Sequence, residues 1–337
     1  MRAHRTSAPL DVVVIGGANT DYLARGPKLP QPGETVKGDV FEPADAGGKG
    51  ANQAVAAARL GARVAFVGRV GADARGRALL HRLKAEGVNV EHVSIDRRAA
   101  TGVALINVDT HGEKQILSAP GANQRLSVSD VQRAAKLIRN TRVLVLQFEV
   151  PMAANLAAAH LARNAGVAIV LDPAPGRRAP RELLRLVSVI RPNELEAEAL
   201  TGVTVSNRAS ARTAAKRLLG HGAQAAIIAA GRGNLLVSRG KNEHSDELWL
   251  PKLPVKSIDA TGAGDAFVAA VAVALVEGHP FTEAATFANA AAALTTTKLG
   301  AQPALPKRQA VLSLLRRTGS ITQAKSFTKV SVNRTIG

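Results

Sequence analysis

The sequence predicts an α/β fold: a mostly parallel central sheet flanked by helices, with a small β-rich lid. Three observations carry this expectation. From residue 127 onward helical segments alternate regularly with short strands. Those strands, such as Val143–Gln147 and Ala225–Ala229, are apolar almost throughout, as strands covered on both faces are. Two strand-rich stretches, about 22–46 and 101–119, interrupt the alternation and read as additions outside the parallel sheet.

Taken in order, Val12–Ile15 is a β-branched run closed by Gly16-Gly17 and predicts a buried strand. Residues 22–43 are rich in Gly and Pro and alternate over 35–41, as irregular or edge strand does. A helix is expected over Ala51–Leu60, stopped by Gly61, then a strand over Val64–Val67 and a helix over Gly76–Glu86 ended by Gly87. Thr101–Val108 and Lys114–Ser118 flank Asp109-Thr110-His111-Gly112, a hairpin signal. Helices follow over Ser129–Arg139, Met152–Asn164, Arg181–Leu186 and Ser210–Leu219, each before a strand: Val143–Gln147, Ala168–Leu171, Val189–Ile190 and Ala225–Ala229. A hairpin-like piece over Leu235–Leu250, helices over Ala266–Glu277 and Thr282–Leu294, and a closing helix over Lys307–Arg316 complete one domain, residues 1–319. Residues 320–337 have weak periodicity and are expected to form a disordered basic tail.

The composition removes several classes of function. There is no cysteine among the 337 residues, so disulfides, thiolate catalysis and cysteine-bound zinc are out, and a reducing cytoplasm is the fitting compartment. No run of about 18 apolar residues exists, so no membrane span is expected. The net charge of +18 suggests an anionic partner, and phosphorylated metabolites fit it. Seven of those charges (Arg2, Arg5, Arg316, Arg317, Lys325, Lys329, Arg334) lie in the terminal segments, and no basic run is interleaved with aromatics, so nucleic acid is not the expected partner.

The chemistry concentrates in Asp259-Ala260-Thr261-Gly262-Ala263-Gly264-Asp265, a glycine-rich turn opening a long apolar helix. A helix start offers free N–H groups and positive dipole character to an anion. Asp265 beside it can take a proton from a hydroxyl while the amides steady a phosphoryl group, or it can simply cap the helix. Gly47-Gly48-Lys49-Gly50-Ala51-Asn52 opens another helix; its spacing is not that of a phosphate-binding P-loop, and Lys49 and Asn52 can bond a polyhydroxy ligand. Asn19 and Asp21, after the first strand, read as Asx turns or as hydroxyl grips. Glu149, at the end of the strand Val143–Gln147, stands where open α/β sheets bind ligands. Asn193 and Glu196 are either the capping box of the next helix or holders of a metal's waters and nearby phosphates. Gly231-Arg232-Gly233-Asn234 is a turn or a loop over which a nucleotide lies.

In their order and spacing these motifs, with Thr101-Gly102-Val103-Ala104, Pro120-Gly121-Ala122-Asn123, Asp172-Pro173-Ala174-Pro175 and Pro192-Asn193-Glu194, resemble the PfkB carbohydrate kinase family from Val12 to Arg316. The resemblance implies a ribokinase-like fold and ATP-dependent phosphorylation of D-ribose at O5. It implies Asp265 as general base and Gly262, Ala263 and Gly264 as anion hole, with Asn19, Asp21, Gly48, Lys49, Asn52 and Glu149 on the sugar. It further implies Asn193 and Glu196 near Mg²⁺ and phosphates, and Gly231, Gly233, Gly264 and Asn289 around the nucleotide. A monovalent cation, usually K⁺, would be held by Asp259 with backbone oxygens of Thr261, Thr295, Lys298 and Gly300, and the lid would form a homodimer contact. Ala304 stands where some relatives place a serine at the cation, and Ala229 and Ala230 where a hydroxyl residue often meets the nucleotide. A sibling kinase for 2-deoxyribose, another sugar or a nucleoside is the nearest alternative; a weakly catalytic sugar sensor or nucleic-acid-associated protein is the alternative from another class.

Overall fold

A computed structural model describes residues 10–240, 245–319 and Phe327, without the side chains of residues 42–45. In chain order the strands and helices are β1 (Val12–Ile15), β2 (Asn19–Arg25), β3 (Val40–Gly47), α1 (Lys49–Arg59), β4 (Val64–Gly71), α2 (Ala74–Ala85), β5 (Val93–Asp96), β6 (Gly102–Val108) and β7 (Lys114–Ala119). They continue as α3 (Val128–Arg133), α4 (Ala135–Arg139), β8 (Val143–Gln147), α5 (Met152–Asn164), β9 (Ala168–Asp172), α6 (Arg181–Leu186), β10 (Val189–Ile190) and α7 (Glu194–Thr201). The remainder is α8 (Arg208–Gly220), β11 (Ala225–Ala230), β12 (Gly233–Arg239), β13 (Ser245–Pro251), α9 (Ala263–Val276), α10 (Phe281–Thr295) and α11 (Arg308–Arg317).

The large sheet runs β13-β12-β11-β10-β9-β8-β1-β4-β5. All its pairs are parallel except the β11-β12-β13 edge. Central strand β1 explains why the strands are apolar without alternation. Val12 and Val14 enter one buried cluster with residues of α1, α9, α10 and α11, while Val13 and Ile15 enter a second with residues of α5, α6 and α8. Both side-chain rows of this central strand are therefore covered, and a polar residue on either row would lose its water. Helix α9 is apolar on every side for the same reason: Ala266 through Ala274 are each at most 1% exposed. Such a fully buried helix fixes the position of its first turn rigidly against the sheet.

The second sheet is the lid, β3-β2-β6-β7. Strand β2 pairs parallel with β6 and antiparallel with β3, with an irregularity between Asp21 and Leu23. Its inner face turns Leu23 and Ile106 toward a cavity of about 920 Å³ that is closed on the other side by Ile258–Thr261 and Leu299–Ala301. Its outer face leaves Phe41 and Leu117 each 69% exposed, beside Leu105, the cross-strand partner of Leu117.

Several sequence expectations need correction. The lid strands begin at Asn19, and 26–39 contain no strand, so the first insertion contributes two separate strands instead of one irregular edge. Asn19 and Asp21 consequently sit inside β2 and not in Asx turns. The helix expected over 129–139 is broken at Ala134 into α3 and α4. Strand β5 has no counterpart in the sequence expectations; its four residues, Val-Ser-Ile-Asp, alternate but are too few to signal a strand. Of the expected tail, residues 320–326 and 328–337 lie outside the described residues. Phe327 is 1% exposed, stacked on Phe287 at 4.3 Å between ring centres, and its carbonyl accepts from Arg308 Nη2 at 2.7 Å. That residue at least is core. Among the described residues, no helix is long and apolar enough to cross a membrane.

Candidate active site

The site forms where the ends of β1, β8 and β9 meet the starts of α1 and α9. Bringing α1 this close requires glycine. A Cβ on Gly50 would stand 2.8 Å from the Gly16 backbone, and Gly48 has φ 86°, which side-chain-bearing residues rarely adopt. The close approach delivers Lys49, Asn52 and Gln53, all in the first turns of α1, to the carboxylates beyond the sheet.

Asp265 is the hub. Helix α9 starts at Ala263, with Gly262 at the cap position (φ 78°) and no side chain bonding the first-turn amides. Asp265 therefore lies in the first turn, and capping is not its role. Its Oδ2 accepts from Asn52 Nδ2 at 2.9 Å and its Oδ1 from Gln53 Nε2 at 3.1 Å. Gln53 Nε2 also donates to Asp172 Oδ2 at 2.8 Å, and Gln147 Nε2 donates to Gln53 Oε1 at 2.6 Å, which fixes the Gln53 amide orientation. Lys49 Nζ stands 3.5 Å from Asp172 and 3.8 Å from Asp265.

The electrostatics follow from burying several carboxylates around one ammonium. Burial raises the Asp265 pKa; Lys49 opposes this, Asp172 adds to it, and the bonds from Asn52 and Gln53 lower it, with the net above the usual range. Burial, helped by the charges of Asp265 and Asp172 and opposed by Lys49, pushes Glu149 up to about 7. Lys49 itself would be lowered by burial, but Asp172, Asp265, Glu149 and Glu196 outweigh that and hold it charged. The result is a carboxylate base with raised proton affinity beside a permanent cation and an uncapped helix start.

The sugar-side candidates converge on the same region. Glu149 Oε2 accepts from the Lys49 backbone N–H at 2.8 Å. Asn19 is buried, and its Oδ1 accepts from Asn123 Nδ2 at 2.8 Å. Asn123 also bonds both backbone groups of Ala18, so it sets the Asn19 side chain. Asp21 lies over Gly47: a Cβ there would come within 1.9 Å of its Oδ2.

The nucleotide and metal candidates are less concentrated. Asn193 and Glu196 form the reciprocal capping box of α7, so the capping reading is the observed one. Burial, then the Asp172 charge, raises the Glu196 pKa, so these two buried acids repel. A divalent cation between them would relieve that repulsion, and in this respect Mg²⁺ fits. Among the described residues no group of three or more His, Cys, Asp or Glu is set to hold a metal. Gly231 N–H donates to Glu194 Oε1 at 3.0 Å, and Gly233 opens β12. Asn289 Nδ2 donates to the Pro251 carbonyl at 2.9 Å, and its Oδ1 accepts from Asn234 at 3.2 Å. Asp259 accepts from Thr261 N–H and Gly300 N–H, each at 2.9 Å, and these bonds with Lys114 outweigh burial to lower its pKa. A buried, ionised Asp259 suits a monovalent cation, although Lys114 from the lid already reaches its Oδ1 and Thr261 Oγ1. Thr295 is fully buried and Lys298 is exposed; the Thr296 carbonyl, between them, accepts from Asp259 N–H.

Sequence reasoning missed Gln53, Gln147, Asp172 and Asn123 as individual actors, although Asp172 and Asn123 stand inside motifs singled out above and Gln53 directly follows one. Lys114 and Arg191 had no sequence signal.

A buried carboxylate beside an anion-accepting helix start, at the strand ends of an α/β sheet, suits an enzyme that moves a phosphoryl group onto an alcohol. The chain belongs to the pfkB family of carbohydrate kinases, whose family profile matches residues 9–308. It is 40% identical to a ribokinase of Haemophilus influenzae, over 90% of this chain and 98% of that protein. A deoxyribokinase of Salmonella typhi is 33% identical over 88% of this chain and 96% of its own length. The solved structure of Arabidopsis thaliana ribokinase complexed with ribose and ATP matches with a TM-score of 0.81 and 33% identity, covering 92% of this chain and 99% of that one.

Proposed function

We propose that the protein is an ATP-dependent ribose kinase: D-ribose and MgATP give D-ribose 5-phosphate and MgADP. The observation that carries this is the placement of Asp265 in the first turn of α9, bonded by Asn52 and Gln53 and next to amides that no side chain caps. Asp265 takes the proton from O5 as O5 attacks the terminal phosphorus; the bond from that phosphorus to the bridging oxygen breaks, and ADP leaves with the electron pair. The amides of Gly262, Ala263 and Gly264 receive the negative charge that the phosphoryl oxygens carry between donor and acceptor. Lys49 opposes the rise in Asp265 pKa that burial causes, and Asn52 and Gln53 hold the carboxylate in one orientation. Asn19, Asp21, Gly48 and Glu149 bind the remaining hydroxyls, while Gly231, Gly233 and Asn289 border the nucleotide.

Mg²⁺ would lie near Asp172, Asn193 and Glu196 and would neutralise phosphate charge. K⁺ would be held by Asp259 and the backbone oxygens of Thr261, Thr295, Lys298 and Gly300, and would reinforce the positive field at the start of α9. The apolar outer face of the lid supports a homodimer that buries Phe41 and Leu117. Leu117→Glu, measured by light scattering after gel filtration, is expected to convert a dimer to monomers. Monomeric wild-type protein would reject the dimer.

Glu149 gives the reading a pH dependence. Its ionised form accepts hydroxyls through both oxygens, whereas the protonated form turns one oxygen into a donor, and burial pushes its pKa up to about 7. For ribose, kcat/KM is expected to rise as pH increases through about 7. Glu149→Gln should flatten that limb and raise the ribose KM about tenfold or more. The same shift has the opposite sign for stability. The folded pKa is raised above the usual 4.5, so the contribution of Glu149 to stability is complete below that value and falls away as pH rises through about 7. Thermal melts of the sugar-free enzyme against pH, with Glu149→Gln as control, read that term.

The substrate is tested by kcat/KM in an ADP-coupled assay on ribose, 2-deoxyribose, fructose and adenosine. Ribose should lead; a higher value on 2-deoxyribose or adenosine would assign the chain to a sibling activity.

A further inference from the structure

Arg191 follows β10 and is the residue before Pro192-Asn193-Glu194. Its backbone N–H donates to the Leu171 carbonyl at 3.0 Å, so the residue is anchored at the strand end beside Asp172. Its guanidinium lies 5.0 Å from the centre of the Phe267 ring, on the second turn of α9. Nη1 stands 3.2 Å from the place a Cβ would take on Gly264. Any side chain at 264 would meet the arginine, so glycine at that position serves the arginine as well as the anion hole.

The charge balance is unusual. Lys49, the other cation of the site, is surrounded by the carboxylates of Asp172, Asp265, Glu149 and Glu196. The side chain of Arg191 makes no hydrogen bond and no ion pair among the described residues, and its Nε is buried without a partner. It is close enough to Glu196 to favour that residue's charged form. A guanidinium partly removed from water with its donors unspent costs free energy unless an anion completes the site. Stacking on Phe267 holds the group in place without consuming those donors.

Resting on the kinase reading above, we infer that Arg191 is a further catalytic residue that grips the transferred phosphoryl group of ATP beside the α9 amides. The planar fork bonds two phosphoryl oxygens at once, and the bonds strengthen as charge spreads over those oxygens between donor and O5. Positioned within the chain, the arginine needs no second protein to deliver it.

The test pairs turnover with a binding measurement that needs no sugar chemistry. Arg191→Met, which keeps length and apolar contact with Phe267, is expected to lower kcat for ribose about 10²–10³-fold with ribose KM within about threefold of wild type. Calorimetry of MgADP with and without aluminium fluoride, a mimic of the phosphoryl group in transfer, is expected to show the fluoride-dependent tightening in wild type and its loss in Arg191→Met. Arg191→Lys should recover part of both, because an ammonium supplies charge but no fork. Arg191→Met retaining kcat and fluoride tightening within about threefold of wild type would overturn the inference. So would an equal loss of MgADP affinity with and without fluoride, which would make Arg191 a nucleotide anchor. If Arg191→Met fails to fold, Arg191→Lys decides by the same two readouts. Wild-type enzyme that turned over no ribose would instead sink the substrate reading, and the fluoride measurement would still judge Arg191.

Discussion

Asp265→Asn is expected to lower kcat for ribose about 10²–10⁴-fold while leaving ribose and ATP binding within a few-fold. The amide is the same size and can keep a bond to Asn52 or Gln53, so the packing around α9 survives. What it loses is the capacity to accept a proton from O5. The effect should fall on kcat and kcat/KM alike, because the interaction is made only as the proton moves. A melting temperature close to that of wild type would show that the loss is chemical. A variant keeping most of its turnover would reject Asp265 as base.

Lys49→Met should have a loss of comparable size by a different route. The ammonium is the cation that offsets Asp172, Asp265, Glu149 and Glu196. Without it, the Asp265 pKa, already raised by burial, rises further, so at neutral pH less of the base is ionised. The direction of rescue follows: activity of Lys49→Met should climb with increasing pH, with its limb displaced upward from that of wild type. Apparent ribose KM should rise as well. Removing this cation from the buried carboxylates also costs stability, which should be recovered at low pH as those groups protonate. A pH–rate series on both enzymes, with melts at each pH, separates these effects. A variant whose limb coincides with that of wild type would show that Lys49 does not set the charge of the base.

Much of the architecture is legible in the chain because both periodicities are clean. Strands β8 and β9 and helix α5 are marked by apolar runs with Gly and Asn stops, and the helix over Arg181–Leu186 by Pro180. The break at Ala134 carries no Gly or Pro, and β5 is too short and polar to signal itself. Apolar content rises only at Ala266, which sets the expected start of α9 three residues late, whereas the left-handed turn at Gly262 begins the helix at Ala263. That small shift matters chemically: it moves Asp265 from before the helix into its first turn.

The site was partly legible for a similar reason. Asn52 and Asp265 stand out as polar residues in glycine-rich helix starts, but their bond spans 213 positions and exists only once α1 crosses α9. Gln53 and Gln147 look like ordinary helix and strand residues, and their pairing across 94 positions is a tertiary fact. Lys114 sits at the start of a lid strand, and nothing local connects it to Asp259, 145 positions away. Arg191 has the same character: a lone arginine after a two-residue strand acquires meaning only beside Gly264 and Phe267. Charge on a buried surface is decided by neighbours that the sequence does not place.

The most direct measurement is the position of phosphate on the product. Wild-type enzyme incubated with D-ribose and MgATP, followed by phosphorus NMR coupled to the sugar protons, should give D-ribose 5-phosphate and one equivalent of ADP, and Asp265→Asn should give neither at a comparable rate. Phosphate on the anomeric oxygen, or ADP release that does not depend on ribose, would contradict the account.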